Sequence, residues 1–469
     1  MLTRNIYFAI EQIKRELDYK MLLSCLVLEK NQEAIIAQHD RIEEIMLKSN
    51  NGVYIGKNIA RSISALEVNN DENSIFNRIK KNNISIVHLD EEGGVYAGDH
   101  NRIKEILDHR LNVNALHSDD LVCTWGDFQA EHYNKRLKTN NNLRILTTGH
   151  IKFEFTKSKY FGFYKEKSDE YIMKYGSYIL IDTHFGFANN VYGISDTFSI
   201  RKGYGPTIKE KLVTTKHWAD EQIKIAYFVT LAKTISVKFP ELNIIFRPHA
   251  AEDFNYYNII FSEIDNIFVE DEGEVVPWIL GAKCLIHDHC TTAIEAHMMN
   301  VPIINYNVNS SQDHDSYLTK MVGTKCTSEN EVLNCIKNIL IDDENFKGIN
   351  HFGENELSLL NNLKTQNSND LVELIKDIIK SKSSLKESKL SNFQLIVMES
   401  LESLSLLIKK PIRKLFFTEK QKAFEGDLRS FNGFKKEEIE IKLKKISKIL
   451  DKNFKLKFIS ERLFIIEKK

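Results

Sequence analysis

Phe246-Arg247-Pro248-His249-Ala250 and Ile286-His287-Asp288-His289-Cys290-Thr291-Thr292-Ala293-Ile294-Glu295-Ala296 decide the fold of this chain. The two stretches begin 40 residues apart, at 246 and 286, and each follows an apolar run of strand length, 242–246 and 282–286. The second runs directly into a helix-like pattern. Arg, His and a Thr pair therefore fall on loops that follow parallel strands, and open α/β sheets bind ligands at those carboxyl ends. A helix N-terminus in the same place is a ready anion site. The chemistry implied is recognition of a phosphate or a carboxylate.

Outward from these stretches, strand-like runs recur at 178–182, 242–247, 267–269, 284–287 and 302–306, with a long helix over 216–239. Upstream, 6–10, 34–37, 52–56, 84–89, 121–124 and 143–147 read as strands, with helical stretches at 16–29, 103–111 and 128–137 between them. Strands alternating with helices argue for parallel sheets. The fold class is α/β, with residues 1–155 and 170–380 as two Rossmann-like domains facing a cleft, where small-ligand sites form. Residues 157–170 read as the linker between them. Residues 381–391 form a Ser/Lys run, and 390–469 read as a small, mainly helical basic extension. That extension holds an apolar stripe over 395–417 and a cluster of Lys409, Lys410, Arg413, Lys414, Lys420 and Lys422. An amphipathic helix at 437–450 and strand-like runs at 456–459 and 463–466 follow.

A chain of 469 residues is too long for one ordinary core. Charged residues at 28% and apolar ones at 42% place it among globular proteins, and a net charge of −1 gives no global pull toward nucleic acid. The six Cys show no CxxC pair, which suits a reducing compartment. The first residues lack a signal-peptide pattern, and no apolar run reaches the ~20 residues that span a bilayer. The expected location is cytoplasmic, at most peripheral to the inner face of the membrane.

Arg247 and His249 at a strand end can clamp a phosphate leaving group, His249 giving a charge-assisted hydrogen bond or a proton. The plainer reading leaves His249 as a surface residue and pairs Arg247 with Glu252. Thr291 and Thr292 open a helix, where hydroxyls and free N–H groups form an oxyanion cradle or simply cap the helix. Glu295 completes a capping box or accepts ribose hydroxyls. His287, Asp288, His289 and Cys290 have metal-ligand chemistry, yet strand residues alternate faces, so at most two converge and no metal is expected; His287, at its strand's end, is instead expected among the phosphate-binding residues of the donor side.

In the first half, Asp90-Glu91-Glu92-Gly93-Gly94 follows the strand 84–89. Three crowded carboxylates beside two Gly suit a general base whose pKa is raised by like charge, or else a solvated acidic turn. Glu11, Arg15-Glu16, Trp125-Gly126 and Gly149-His150 lie at strand ends near the presumed cleft or in ordinary turns and solvated helix faces. Residues 273–278 form a wall for a base, or Trp278 packs in the core.

On these residues the chain resembles glycosyltransferases of the two-Rossmann-domain (GT-B) type. Glu91-Glu92-Gly93, His249-Ala250 and Thr291-Thr292 match in order the acidic-acidic-Gly, His-Pro and Ser/Thr-pair motifs of bacterial sialyltransferases and related Kdo transferases. The resemblance implies Glu91 as base on the acceptor hydroxyl, His249 as partner of the CMP phosphate, and Thr291 and Thr292 as the phosphate cradle. Up to about residue 380 the chain is also similar to bacterial surface carbohydrate biosynthesis proteins, on Arg15-Glu16-Leu17-Asp18, Asp90–Gly94, Thr148-Gly149, Arg247-Pro248-His249 and 290–296. Ala250 replaces the second Pro of that pattern, and His150-Ile151-Lys152 stands where Asn-Pro-Arg is frequent. The implied function is metal-independent transfer of a sugar, for example an ulosonic acid such as Kdo or a sialic-acid-like sugar. The donor is a nucleotide sugar, CMP-linked, with no cofactor. The implied acceptor is a glycan or lipid-linked glycan, with peripheral contact to anionic membrane through Lys409–Lys422. A nucleotide-sugar epimerase of the same fold, and a non-catalytic glycan-assembly protein, are the competing readings.

Overall fold

The structure, a computed structural model, describes residues 5–30, 32–57, 74–91, 94, 96–139, 141–310, 314–341, 368–381, 390–401, 404 and 431–469. It divides into two compact units. One comprises Met1–Gly93, Lys104–Glu154 and Ser358–Lys469, and the other comprises Gly94–Ile103 and Phe155–Leu357.

The first unit is built on β1 (Asn5–Ile10), β2 (Glu33–Gln38), β3 (Gly52–Gly56), β4 (Ser85–Leu89), β5 (Leu121–Thr124) and β6 (Arg144–Thr147). All six run parallel in the order β2-β1-β3-β4-β5-β6. Every residue of β1, β3, β4 and β5 is buried, as expected of parallel strands covered on both faces. The second unit carries β7 (Tyr178–Asp182), β8 (Asn243–Arg247), β9 (Ile267–Val269), β10 (Ala282–His287), β11 (Ile303–Tyr306) and β12 (Thr324–Cys326). These are parallel in the order β12-β11-β10-β7-β8-β9. Its core packs Phe228, Leu231 and Ile235 of a long helix against Ile179, Ile181, Ile244 and Phe246 of the sheet. Both units are thus Rossmann-like α/β layers.

Three expectations change. Residues 157–170 are not a linker. They form a 3₁₀ turn, Ser158–Tyr160, and the helix Phe161–Tyr175, which buries Phe163, Tyr164, Tyr171 and Tyr175. The Tyr171 ring stacks on Trp278 at 3.6 Å, so partners far along the chain fix this segment as a helix. The long helix begins at Ile208, eight residues before the expected start, because Thr207 and Glu210 close a capping box.

The separate C-terminal extension is the third change. Residues 358–469 belong to the first unit. The helix Lys436–Leu450 leads to the hairpin β13 (Phe454–Ser460) and β14 (Leu463–Lys468), and β14 pairs antiparallel with β2. The first sheet therefore has eight strands, the last two supplied from the far end of the sequence. Phe464, Ile465 and Ile466 are buried against β2, which explains why the segment joins the sheet instead of standing apart. The Lys409–Lys422 cluster lies outside the described residues. Among the described residues no helix is long and apolar enough to cross a membrane.

Candidate functional site

Each sheet has one point where neighbouring strands carry the chain off in opposite directions, and ligands of doubly wound sheets bind there. In the second unit it lies between β7 and β10. Register places Asp182, the last residue of β7, between Arg247 of β8 and His287 of β10. Loops leaving these strands bring His184 to 4.7 Å from His249 and 5.7 Å from His289, ring centre to ring centre. The two stretches read from the sequence meet here.

Arg247 does not pair with Glu252. Its guanidinium donates to the carbonyls of Glu272 (3.1 Å) and Gly273 (2.7 Å) and lies 6.0 Å from the Trp278 ring centre. Trp278 is fully buried and is core, not a wall. Asp182 is buried, and burial lifts its carboxyl to about 6 against the opposing pull of Arg247 and a Thr292 hydrogen bond. Its Oδ1 has no hydrogen-bond partner.

His249 is exposed, on a turn that Glu252 organises. The Glu252 carboxylate accepts from His249 N (2.9 Å), Thr183 Oγ1 (2.7 Å) and Tyr257 Oη (2.5 Å). His249 Nδ1 accepts from Ala251 N at 3.2 Å. The second Pro that Ala250 replaces is therefore not needed to hold the turn. Burial raises Glu252 to about 7 despite its three donors.

The Thr pair is partly occupied. Thr291 caps the short helix Thr292–Met298 without a side-chain cap bond, and no capping box forms with Glu295. Thr292 Oγ1 lies 3.1 Å from Cys290 Sγ and also bonds Asp182. Burial pushes the Cys290 thiol up to about 12, so it stays protonated. His287 is buried inside the sheet, where Nε2 donates to the Val322 carbonyl at 3.0 Å. Burial lowers it to about 4. A neutral, buried His287 supplies no cation to a phosphate, which corrects its expected role.

Asp288, His289 and Asp315 come within 4.8 Å of one another, a grouping able to hold a metal. The position is already taken by Lys224, whose Nζ sits 2.7 Å from Asp288 and 2.6 Å from Asp315. Lys224 comes from the long helix, as does Glu221, which accepts from Phe187 N (2.9 Å) and Ala188 N (2.8 Å) and so fixes the loop after β7. Burial and the Lys224 charge hold His289 down to about 4, and its backbone is left-handed at φ 45°.

In the first unit the reversal point lies between β1 and β3. Glu11 and Lys57 follow those strands and pair at 2.7 Å. Behind them, Lys20 Nζ contacts Glu91 (2.8 Å), Glu16 (3.0 Å) and the Ala9 carbonyl (2.6 Å), all buried. Glu91 differs from the crowded-carboxylate expectation. Burial alone would raise it, but Lys20 and Lys57 outweigh burial and hold it well below the usual carboxylate range. Glu16 differs from Glu91 in direction: burial, and Glu91 beside it, raise its carboxyl against the opposing pull of Lys20 and Lys57.

His150, after Gly149 at φ 66°, contacts the Tyr19 ring at 4.8 Å, and burial lowers it to about 3. Trp125 is buried and donates to the Asp90 carbonyl, so it supports this turn from below. Gly94 falls in the second unit, its carbonyl accepting from Ser316 Oγ at 2.9 Å. Glu92 and Gly93 lie outside the described residues.

Asp182, His184 and Lys224 do not stand out in the sequence, and Glu252 enters it only as a partner for Arg247. The available signal was modest: Asp182 ends an otherwise apolar strand, and Glu252 follows His249 by three residues.

No family model and no curated protein matches this chain. Solved structures of similar shape include S. aureus MnaA with UDP, 14% identical, covering 83% of this chain and 100% of that one, TM-score 0.43. The UDP-GlcNAc 2-epimerase of Methanocaldococcus jannaschii is 15% identical over 78% of this chain and 99% of that one, TM-score 0.44. The wall teichoic acid polymerase TagF is 11% identical over 81% and 89%, TM-score 0.40. A likeness of that size assigns no role to any residue here.

Proposed function

We propose that this chain is a nucleotide-sugar enzyme, and specifically a glycosyltransferase that moves a sugar from a nucleotide donor to a glycan acceptor. The carrying observation is the convergence of exposed His249, half-buried Arg247, Asp182 and the Thr291-Thr292 turn at the strand-reversal point of the second sheet. In this reading His249 meets the leaving phosphate, and the backbone N–H and hydroxyl of Thr291 supply donors. Asp182, near 6, can exchange a proton close to neutral pH. Stabilising charge on a departing phosphate in this way is worth a few kcal/mol of barrier.

In the first unit, Glu91 and Glu16 share Lys20 behind that sheet's own reversal point, with Glu91 held low by the lysines and Glu16 raised by burial. Glu16 takes the acid/base part that the resemblance gives to Glu91. The donor is CMP-linked in this reading, on the resemblance of its motifs. Calorimetry with CMP and with UDP tests it: CMP binding that is lost in Arg247→Met and His249→Ala is the expected result. UDP binding with turnover of donor alone would replace the transferase by an epimerase, and binding of neither nucleotide would end the reading.

A further inference from the structure

On the loop that leaves β7, beside the candidate site, the second unit holds a cavity of about 860 Å³. Arg102, Lys202, Lys216 and Lys320 line it, against Asp99 as the one lining carboxylate among the described residues. Asp99 Oδ1 is already engaged, accepting from Asn101 N and Arg102 N at 2.9 Å each. One wall is a stack of rings, with His217 sandwiched 4.3 Å from Phe187 and 4.1 Å from His314 and nearly parallel to both. The lining thus offers positive charge in excess beside flat aromatic rings, the composition that holds a phosphate attached to an organic body.

The rim adds a second, independent feature. The 3₁₀ turn Ile200–Lys202 lies beside the opening of the long helix, where Gly203 approaches Thr214. Phe198, packed on Tyr204 and Trp218, anchors that turn. On this rim Ile200 is 81% exposed, Ile208 71%, Leu212 55% and Val213 51%. Ile208 and Leu212 are four apart on one helix face, and Val213 also lines the cavity. Lys202, Lys209 and Lys216 are exposed among them. Exposed branched apolar side chains interleaved with lysines make a surface complementary to the interface of an anionic bilayer.

We propose that this cavity receives the phosphate head of a membrane lipid while the Ile200–Val213 rim rests on its apolar chains. Such a lipid would be the acceptor of the transfer proposed above, and that part rests on the transferase reading; the binding itself does not. The full chain is sedimented with phosphatidylcholine vesicles alone, and with vesicles that also carry phosphatidic acid or phosphatidylglycerol. Binding to phosphatidic acid vesicles is expected, weaker to phosphatidylglycerol and absent from phosphatidylcholine. Lys202→Gln with Lys216→Gln should weaken it by roughly 30-fold, about 1 kcal/mol per lysine removed. Ile208→Ser with Val213→Ser should weaken vesicle binding several-fold while leaving calorimetric binding of glycerol 3-phosphate unchanged. Equal binding to both anionic lipids would overturn the phosphate seat. Glycerol 3-phosphate binding as tight as vesicle binding, with no effect of the rim variants, would overturn the lipid and leave a soluble phosphate ligand. Vesicle binding without nucleotide binding would retain this inference and remove the transferase reading; the converse result does the reverse.

Discussion

Glu252 accepts the backbone N–H of His249 at 2.9 Å while burial holds its own carboxyl near 7. The turn that presents the exposed imidazole is therefore anchored on a group that changes charge close to neutral pH. Glu252 favours its protonated form in the fold, since its folded pKa lies above the unfolded value of 4.5. The associated stability is fully present below about 4.5 and is lost as pH rises through about 7. Glu252→Gln keeps an acceptor for His249 N–H and does not titrate. Its melting temperature relative to the native chain should rise between pH ~5 and pH ~8, by the equivalent of up to ~3 kcal/mol. A gap independent of pH would show that Glu252 is ionised throughout.

His249→Ala removes the one exposed imidazole of the site without touching the core. Turnover of the proposed reaction should fall by roughly 100-fold, as for loss of a single oxyanion donor. The sharper reading is the split between constants: a large fall in kcat with little change in donor KM marks a group acting on the leaving phosphate. Unchanged kcat would remove His249 from the chemistry.

Lys20 balances Glu16 and Glu91 in a place water does not reach. Lys20→Met leaves two carboxylates facing each other with Lys57 alone to answer them, and should cost about 3–5 kcal/mol. Adding Glu16→Gln should return part of that loss, since the second variant removes the repulsion that the first exposes. Chemical denaturation of the native chain and both variants measures it; additive losses would mean that the three groups are not coupled.

Gly193 and Gly323 separate two causes of glycine dependence. Both have left-handed backbone, φ 83° and 93°, but a Cβ at Gly193 meets nothing within 4 Å. At Gly323 it would lie 2.6 Å from Ile303 Cγ2 and 2.9 Å from the Ile303 carbonyl oxygen. Gly193→Ala should cost ~1–2 kcal/mol from conformation alone, and Gly323→Ala distinctly more. Equal melting temperatures for the two would contradict this packing.

The alternation of apolar runs and helical stretches was enough to place eleven of the parallel strands, because buried parallel strands read as continuous Val, Ile and Leu. It also placed Arg247, His249 and the Thr pair at strand ends, where sheet topology then joined them. What sequence spacing does not carry is partnership across distance. Lys224 and Asp315 stand 91 residues apart, and neither is remarkable in its local context. The helix Phe161–Tyr175 looks like a linker in sequence because its aromatic face matches Trp278, more than a hundred residues on. The carboxylates beside Glu91 in the chain argue for a raised pKa, whereas Lys20 and Lys57, which reach it only in the fold, decide its charge.

The pairing of β14 with β2 has a consequence for how this molecule comes into being. During synthesis β2 emerges early, with its outer edge of N–H and C=O groups open and its residues Ala34–Ala37 buried only in the finished sheet. The strand that covers it is made after the whole second unit. At ~5–20 residues per second, the interval between Glu154 and β14 is roughly 15–60 s. For that time the nascent first unit carries an unguarded apolar edge, the feature most apt to pair with a neighbouring chain. Its yield in the cell should depend on how quickly the ribosome delivers the hairpin and on what shields β2 until then.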